Sequence, residues 1–128
     1  MKIAIGTTVL GSGSQAGEPG RIVGSVAKGE IEVSPCIDAD SPDIFDRKNR
    51  VITDTVEVDY SFVDYATAQA AIPTQRQAAL AATGSLIYGT TPADVTVGPA
   101  KVEQVEVVEF IGAGFTMRYT IIATESYS

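Results

Sequence analysis

Apolar and polar residues alternate with a period of two along several long stretches of this chain. The cleanest run places Val56, Val58, Tyr60 and Phe62 on one side and Glu57, Asp59 and Ser61 on the other. That is the pattern of a half-buried strand, and the spacing predicts one from Arg50 to Asp64 with the valine and aromatic face covered. From Tyr65 the alternation stops and Ala66, Ala68, Ala70 and Ala71 take over. Asp64 is a suitable N-cap for a helix beginning there. Pro73 predicts a break, because proline disfavours a helical residue before it. "TQRQAALAAT" then resumes the helix with Ala78, Ala79, Leu80 and Ala82 as its packed side, and Gly84 has the character of a left-handed stop. One broken helix over 65–83 is expected.

The rest of the chain reads mostly as strand. "KIAIGTTVL" (2–10) predicts a first strand, and "GSGSQAGEPG" (11–20) a loop by composition. "RIVGSVA" and "GEIEVS" predict two strands joined by a tight turn near Lys28-Gly29. After the helix come "SLIYGT", "DVTV", "KVEQVEVVEF" and "FTMRYTIIATE", the last two separated by Gly112-Ala113-Gly114, a strong hairpin signal. Phe115, Met117, Tyr119 and Ile121 alternate cleanly in the closing strand. In its partner the phase slips between Val105/Val107 and Val108/Phe110, which predicts either two covered faces or a bulge near Gln104-Val105. The fold class is mainly β: an antiparallel sandwich or open barrel with one helix packed on it, in a single domain spanning 1–128.

The segment 34–50, "SPCIDADSPDIFDRKNR", fits neither period. Two prolines and four aspartates argue against an interior strand and for a long exposed loop. Acid comes first (Asp38, Asp40, Asp43, Asp46), base follows (Arg47, Lys48, Arg50), and Ile44 and Phe45 stand apolar between them. Segregated charge around an apolar centre marks these residues as a candidate subunit-contact loop. Glu57, Asp59 and Ser61, on the polar side of the clean strand, are the candidate lumen or solvent face.

Composition narrows the chemistry more than it defines a role. The chain has 128 residues, 45% of them hydrophobic, enough for one core. There is no apolar stretch of signal-peptide or membrane-spanning length, so the reading is of a protein made in a cytoplasm. The net charge of −7 disfavours tight binding to phosphate backbones or to an anionic membrane. With no histidine, the common Ser-His-Asp and Cys-His constellations are excluded, and one cysteine excludes a Cys-based zinc site. Cys36, beside Pro35 and Ile37, reads as a small, partly buried residue. Asp38, Asp40 and Asp43 raise the thought of calcium, but the EF-hand order fails and Pro42 intrudes, so a solvated turn is favoured. Glu57 with Asp59, or Glu103, Glu106 and Glu109, read as exposed strand acids rather than an acid-base pair. Arg118 is the one charge in the closing alternation, and its expected partner is Glu106 or another glutamate across the hairpin. No catalytic residue, cofactor or metal is expected, and the chain is not read as an enzyme.

The order of elements resembles that of phage tail-tube and related tail proteins. The residues carrying the resemblance are "VITDTVEVDYSFVDYATAQAAI", "QAALAATGSLIYG" and "VEQVEVVEFIGAGFTMRYTIIA", about 50–125. In that family a strand enters an alanine- and leucine-bearing helix, which returns through a Gly-Ser-Leu type strand to a closing strand of the Phe-Thr-x-Arg-Tyr-Thr kind. The resemblance implies a non-catalytic virion protein of the tail that self-assembles into a ring, commonly of six copies, around a channel for DNA. Its partners would be itself and other virion structural proteins. Two other readings stand beside it: a capsid decoration or head-tail joining protein, and a monomeric ligand-binding β-barrel with an apolar interior pocket.

Overall fold

The computed structural model describes residues 2–11, 20–34, 43–89 and 93–126. In chain order these form β1 (Lys2–Ile5), β2 (Thr8–Gly11), β3 (Gly20–Ser34), β4 (Asp43–Ser61), helix α1 (Tyr65–Ala81), β5 (Gly84–Gly89), β6 (Val95–Ile111) and β7 (Gly114–Ser126). The strands make one seven-stranded sheet in the order β2-β1-β5-β6-β7-β4-β3, antiparallel at every step. The fold is therefore mainly β with one helix, as the periodicity predicts.

The sheet is strongly coiled but open. β2 and β4 are first and sixth in the order, yet they touch, and the Tyr60 hydroxyl donates to the Leu10 carbonyl across the gap. The right-handed twist of neighbouring strands, accumulated over seven of them, brings the ends round. No backbone ladder joins the two edges, so the barrel stays unclosed.

The core lies on the concave face. Val56, Val58, Tyr60, Phe115, Met117, Tyr119, Ile121, Val102, Leu86, Tyr88, Ile3, Ile5 and Leu10 are buried there with Ala68, Ala79 and Ala82 of the helix. On α1 and its C-cap the covered positions are Ala68, Ala71, Ile72, Gln75, Ala79 and Ala82, which share one helical face. Alanine keeps the helix close to the strands, and Gln75 reaches down to donate to the Tyr119 hydroxyl at 3.2 Å. Of the predicted packed side, Ala79 and Ala82 are buried, while Ala78 and Leu80 face outward.

The helix is continuous, contrary to the expectation of a break at Pro73. Pro73 sits on the exposed side, where water can satisfy the carbonyl its missing N–H leaves free, so the cost is met locally. Asp64 caps the start as expected, accepting from the Thr67 N–H at 2.8 Å. The end differs. Ala82 closes the helix in an extended conformation, and Lys101 Nζ donates to its carbonyl at 3.3 Å. Gly84, at φ +128°, serves instead a close crossing: a Cβ there would lie 2.6 Å from the Gly6 Cα.

Four strand boundaries also differ from the sequence reading. "KIAIGTTVL" is two strands, β1 and β2, turned at Gly6-Thr7. β3 is one strand: Gly29 pairs with Arg50 instead of turning, and its register shifts twice, at Val23 and just past Gly29, where Glu30 stands against residues 47–49 of β4. "DVTV" and "KVEQVEVVEF" fuse into β6, whose phase slip comes from two bulges, at Glu103 and Val108, on either side of the expected place. The predicted loop 34–50 is strand at both ends: Ser34 closes β3, and Asp43, Ile44, Phe45, Asp46, Arg47, Lys48 and Arg50 lie on β4. The glycine-rich 12–19, Cys36, Asp38 and Asp40 lie outside the described residues.

Candidate functional site: the uncovered face and edges of the sheet

The convex face of the sheet carries no element of its own chain among the described residues, and its chemistry is written by the second phase of each strand. Arg21 on β3 pairs with Glu57 on β4, Glu57 with Arg118 on β7, and Arg118 with Glu106 on β6. Four adjacent strands thus present a row of alternating charge, the cross-strand arrangement that favours opposite signs.

Glu57 is the centre of that row. One of its oxygens accepts from Arg21 Nη2 at 3.0 Å, and the other from Arg118 Nε and Nη2 at 3.0 and 2.7 Å. Between the two guanidinium groups its side chain is only 12% exposed, although it lies on the open face. Asp59, one step along β4, accepts from Arg21 Nη1 at 2.8 Å and from the Thr116 hydroxyl at 2.6 Å. Hydrogen bonding to Arg118 and then Arg21 holds the Glu57 carboxyl below the usual range. Arg21 and then Thr116 do the same for Asp59, and Asp59 in turn raises Arg21. Arg118 therefore answers Glu57 first; its approach to Glu106, at 3.8 Å, is looser. Ser61 stands exposed at the end of β4, outside the network.

A second polar group lies on the concave side near the opposite end. Asp54 is buried at 4% exposure and accepts from the Tyr88 hydroxyl and from Ser25. Alternation along β4 places it with Val56 and Val58 on the core face, so it must be hydrogen-bonded inside the fold. Burial, followed by the nearby carboxylate, pushes the Tyr88 phenol upward. Sequence reading passed over Asp54. The available signal was its phase, since it is the one acid on the apolar side of the Val56-Tyr60 alternation.

The two sheet edges differ. β2 is four residues long, whereas β3 runs from Gly20 to Ser34 and, among the described residues, pairs on one side only. Along β3, Ile22, Val23 and Val26 are 44%, 48% and 57% exposed. β3 and β4 also outrun the sheet: pairing with β7 begins at Asn49, so Asp43–Asp46 pair with β3 alone. Of the residues named as a contact loop, those from Asp43 to Arg50 thus form the root and shaft of a two-stranded arm. Asp43 is brought beside Ser34, and Asp46 beside Ile31.

Chemistry beyond this is sparse. Among the described residues no group of three His, Cys, Asp or Glu could hold a metal ion, and no helix is long and apolar enough to cross a membrane. A shallow, mostly apolar depression lies on the outer side of α1, lined by Pro73, Arg76, Gln77, Leu80 and Ala81.

No protein-family model matches the chain, and no curated protein matches it. Among solved structures, a chain of the "Virion of native gene transfer agent (GTA) particle" is similar over 99% of this chain and 95% of that one, with a TM-score of 0.50. Identity is 8%, so the likeness is one of fold.

Proposed function

We propose that the chain is a structural subunit of a phage-like virion particle and that it assembles with copies of itself into a ring of the tail tube. The observation that carries the reading is the end-to-end likeness to a chain of a gene transfer agent virion. Three features support self-assembly. The long edge of β3 offers unpaired backbone groups and exposed valines, which natural proteins protect unless another strand is to cover them. The convex face is polar and uncovered, suited to a lumen or to solvent. The β3–β4 arm extends past the sheet and can reach a neighbour with Asp43, Ile44, Phe45, Asp46, Arg47 and Lys48.

On this reading Glu57, Asp59 and the Thr-bearing strands face a channel, and their balanced charge lets DNA pass without being held. The part played by the protein is geometric: there is no bond to make or break. The test is the mass of the purified protein in solution, with electron microscopy of the same sample. Rings or tubes are expected. A protein that stays monomeric at every concentration, alone and with the other virion proteins, overturns the reading. Reversing charge at Asp43 and Asp46 is expected to weaken assembly at least tenfold; unchanged assembly removes the arm from the interface.

A further inference from the structure

The outer side of α1 lacks what a solvent-facing helix ordinarily carries. From Tyr65 to Ala81 there is no Asp, Glu or Lys, and Arg76 is the single charge, in a chain with 16 acidic and 9 basic residues. A helix that faces water usually sets charged residues opposite its packed face. Here Pro73, Arg76, Gln77, Leu80 and Ala81 follow one another at helical spacing, all exposed, and line the shallow apolar depression. Leu80 is 42% exposed. Loss of acids and lysine with arginine kept is the composition of an interface core rather than of open surface.

Arg76 is the second observation. Arg21 holds Glu57 and Asp59, Arg118 holds Glu57, and Arg50 holds Glu125. Arg76 has no carboxylate partner among the described residues, although acids outnumber bases in the chain. A further cation stands at the end of the depression: Lys101 Nζ lies 3.3 Å from the carbonyl of Ala82, the residue after Ala81. A guanidinium fork beside apolar walls suits a carboxylate carried among aliphatic side chains.

We propose that this side of α1 is the docking site for an acidic, aliphatic segment of a partner protein, with Arg76 taking its carboxylate and Pro73, Leu80 and Ala81 its apolar side chains. Charge decides the occupant. A second copy laid helix on helix would set Arg76 against Arg76, and neither helix has an acid from Tyr65 to Ala81 to answer it. A basic partner would meet the same repulsion from Arg76 and Lys101. α1 packs chiefly on β6, with β2 and β7 beside it, and its outer side is separate from the β3 edge and the β3–β4 arm. The inference therefore does not rest on the ring reading.

The test titrates the full chain, at a concentration below its self-association, with a capped peptide bearing one glutamate among leucines and with its glutamine counterpart. Backbone amide signals report where each peptide sits. The glutamate peptide is expected to shift the 74–82 amides, and the glutamine peptide to bind more weakly by about tenfold or more. Arg76→Gln is expected to make the two peptides bind alike, and Leu80→Ser to weaken both. Both positions are exposed, and unchanged circular dichroism checks that each variant folds. No shift of the 74–82 amides at millimolar peptide, equal binding of the two peptides to the wild type, or a preference that survives Arg76→Gln overturns the proposal. Loss of self-association in Arg76→Gln, read by sedimentation of the protein alone, assigns the face to a second copy and overturns the partner. A wild type that binds the glutamate peptide but forms no rings counts against the ring reading alone.

Discussion

Tyr60 shows how much one hydroxyl can do in a coiled sheet. Its proton goes to the Leu10 carbonyl, so the Tyr119 hydroxyl, 2.6 Å away, donates to Tyr60 and accepts from Gln75. The resulting chain links α1, β7, β4 and β2, and it does so across the gap that backbone pairing leaves open. Burial raises both phenols, so both remain neutral donors across the working range. Tyr60→Phe keeps the ring against Phe115 but leaves the Leu10 carbonyl and the Tyr119 donor without their partner. A loss of about 1–3 kcal/mol is expected in urea unfolding. The Glu57 row behaves differently because it is at the surface. Each link between exposed ions is worth only about 0.2–1 kcal/mol, so its effect is best seen through pH. The Glu57 and Asp59 carboxyls are lowered by folding; their stabilising contribution is complete above the ordinary values of 4.5 and 3.8 and is lost as pH falls through the folded values. The Tm is therefore expected to drop on acidification below about pH 4.5, less steeply in Glu57→Gln and less steeply at high salt. Equal slopes for wild type and variant would show that the row contributes nothing to acid sensitivity. The phases of Glu57, Asp59 and Arg118 were legible in the sequence. Which arginine meets which acid was not, because Arg21 stands 36 residues from Glu57 and only the β3–β4 register joins them.

At the scale of the element, α1 obeys one of its local signals and overrides another. Asp64 fulfils the capping rule because the contact is entirely local, three residues long. Pro73 does not break the helix, since helix stability in a fold comes chiefly from the packed face, and Ala68, Ile72, Gln75 and Ala79 bridge the proline on that side. The proline still carries a cost. Pro73→Ala, at an exposed site with room for a methyl group, is expected to raise stability by up to roughly 3 kcal/mol, read as a higher Tm. A lower Tm would mean that the proline fixes an angle the packing needs. The strands give a parallel lesson. Lys28-Gly29 has turn composition, yet both residues pair with Val51 and Arg50 of β4, and the shift that follows is taken up by the extra residues of β4 rather than by a reversal of β3. Gly112-Ala113 has turn composition too and is a turn, with Gly112 at φ +56° closing β6 onto β7. The difference lies in what stands across from each pair.

For the whole molecule the open sheet is the feature with consequences. Closure would have removed the edges; here, among the described residues, β3 pairs with β4 alone, and the hairpin end is left apolar. A protein with net charge −7 stays soluble with such surfaces exposed, but its isolated form is expected to associate as concentration or salt rises and self-repulsion falls. Light scattering against salt checks this: association that weakens with salt would assign the contact to ion pairs rather than to the valine and aromatic surfaces.

By itself the sequence determined what depends on near neighbours: the period-two strands, the Asp64 cap, the β6–β7 hairpin, the alanine helix and the lack of the common histidine-based constellations. These follow from local sterics, hydrogen bonding and composition. The tertiary structure alone decided what depends on residues far apart: the strand order that places β3 at an edge, the coiling that brings Tyr60 to Leu10, the row from Arg21 to Glu106, and the gathering of Val63, Tyr65, Phe110 and Ile111 at one end. An alternating strand states which residues share a face. It does not state which strand lies beside it, because backbone ladders pair any sequence; the choice is made by the packing of the whole core.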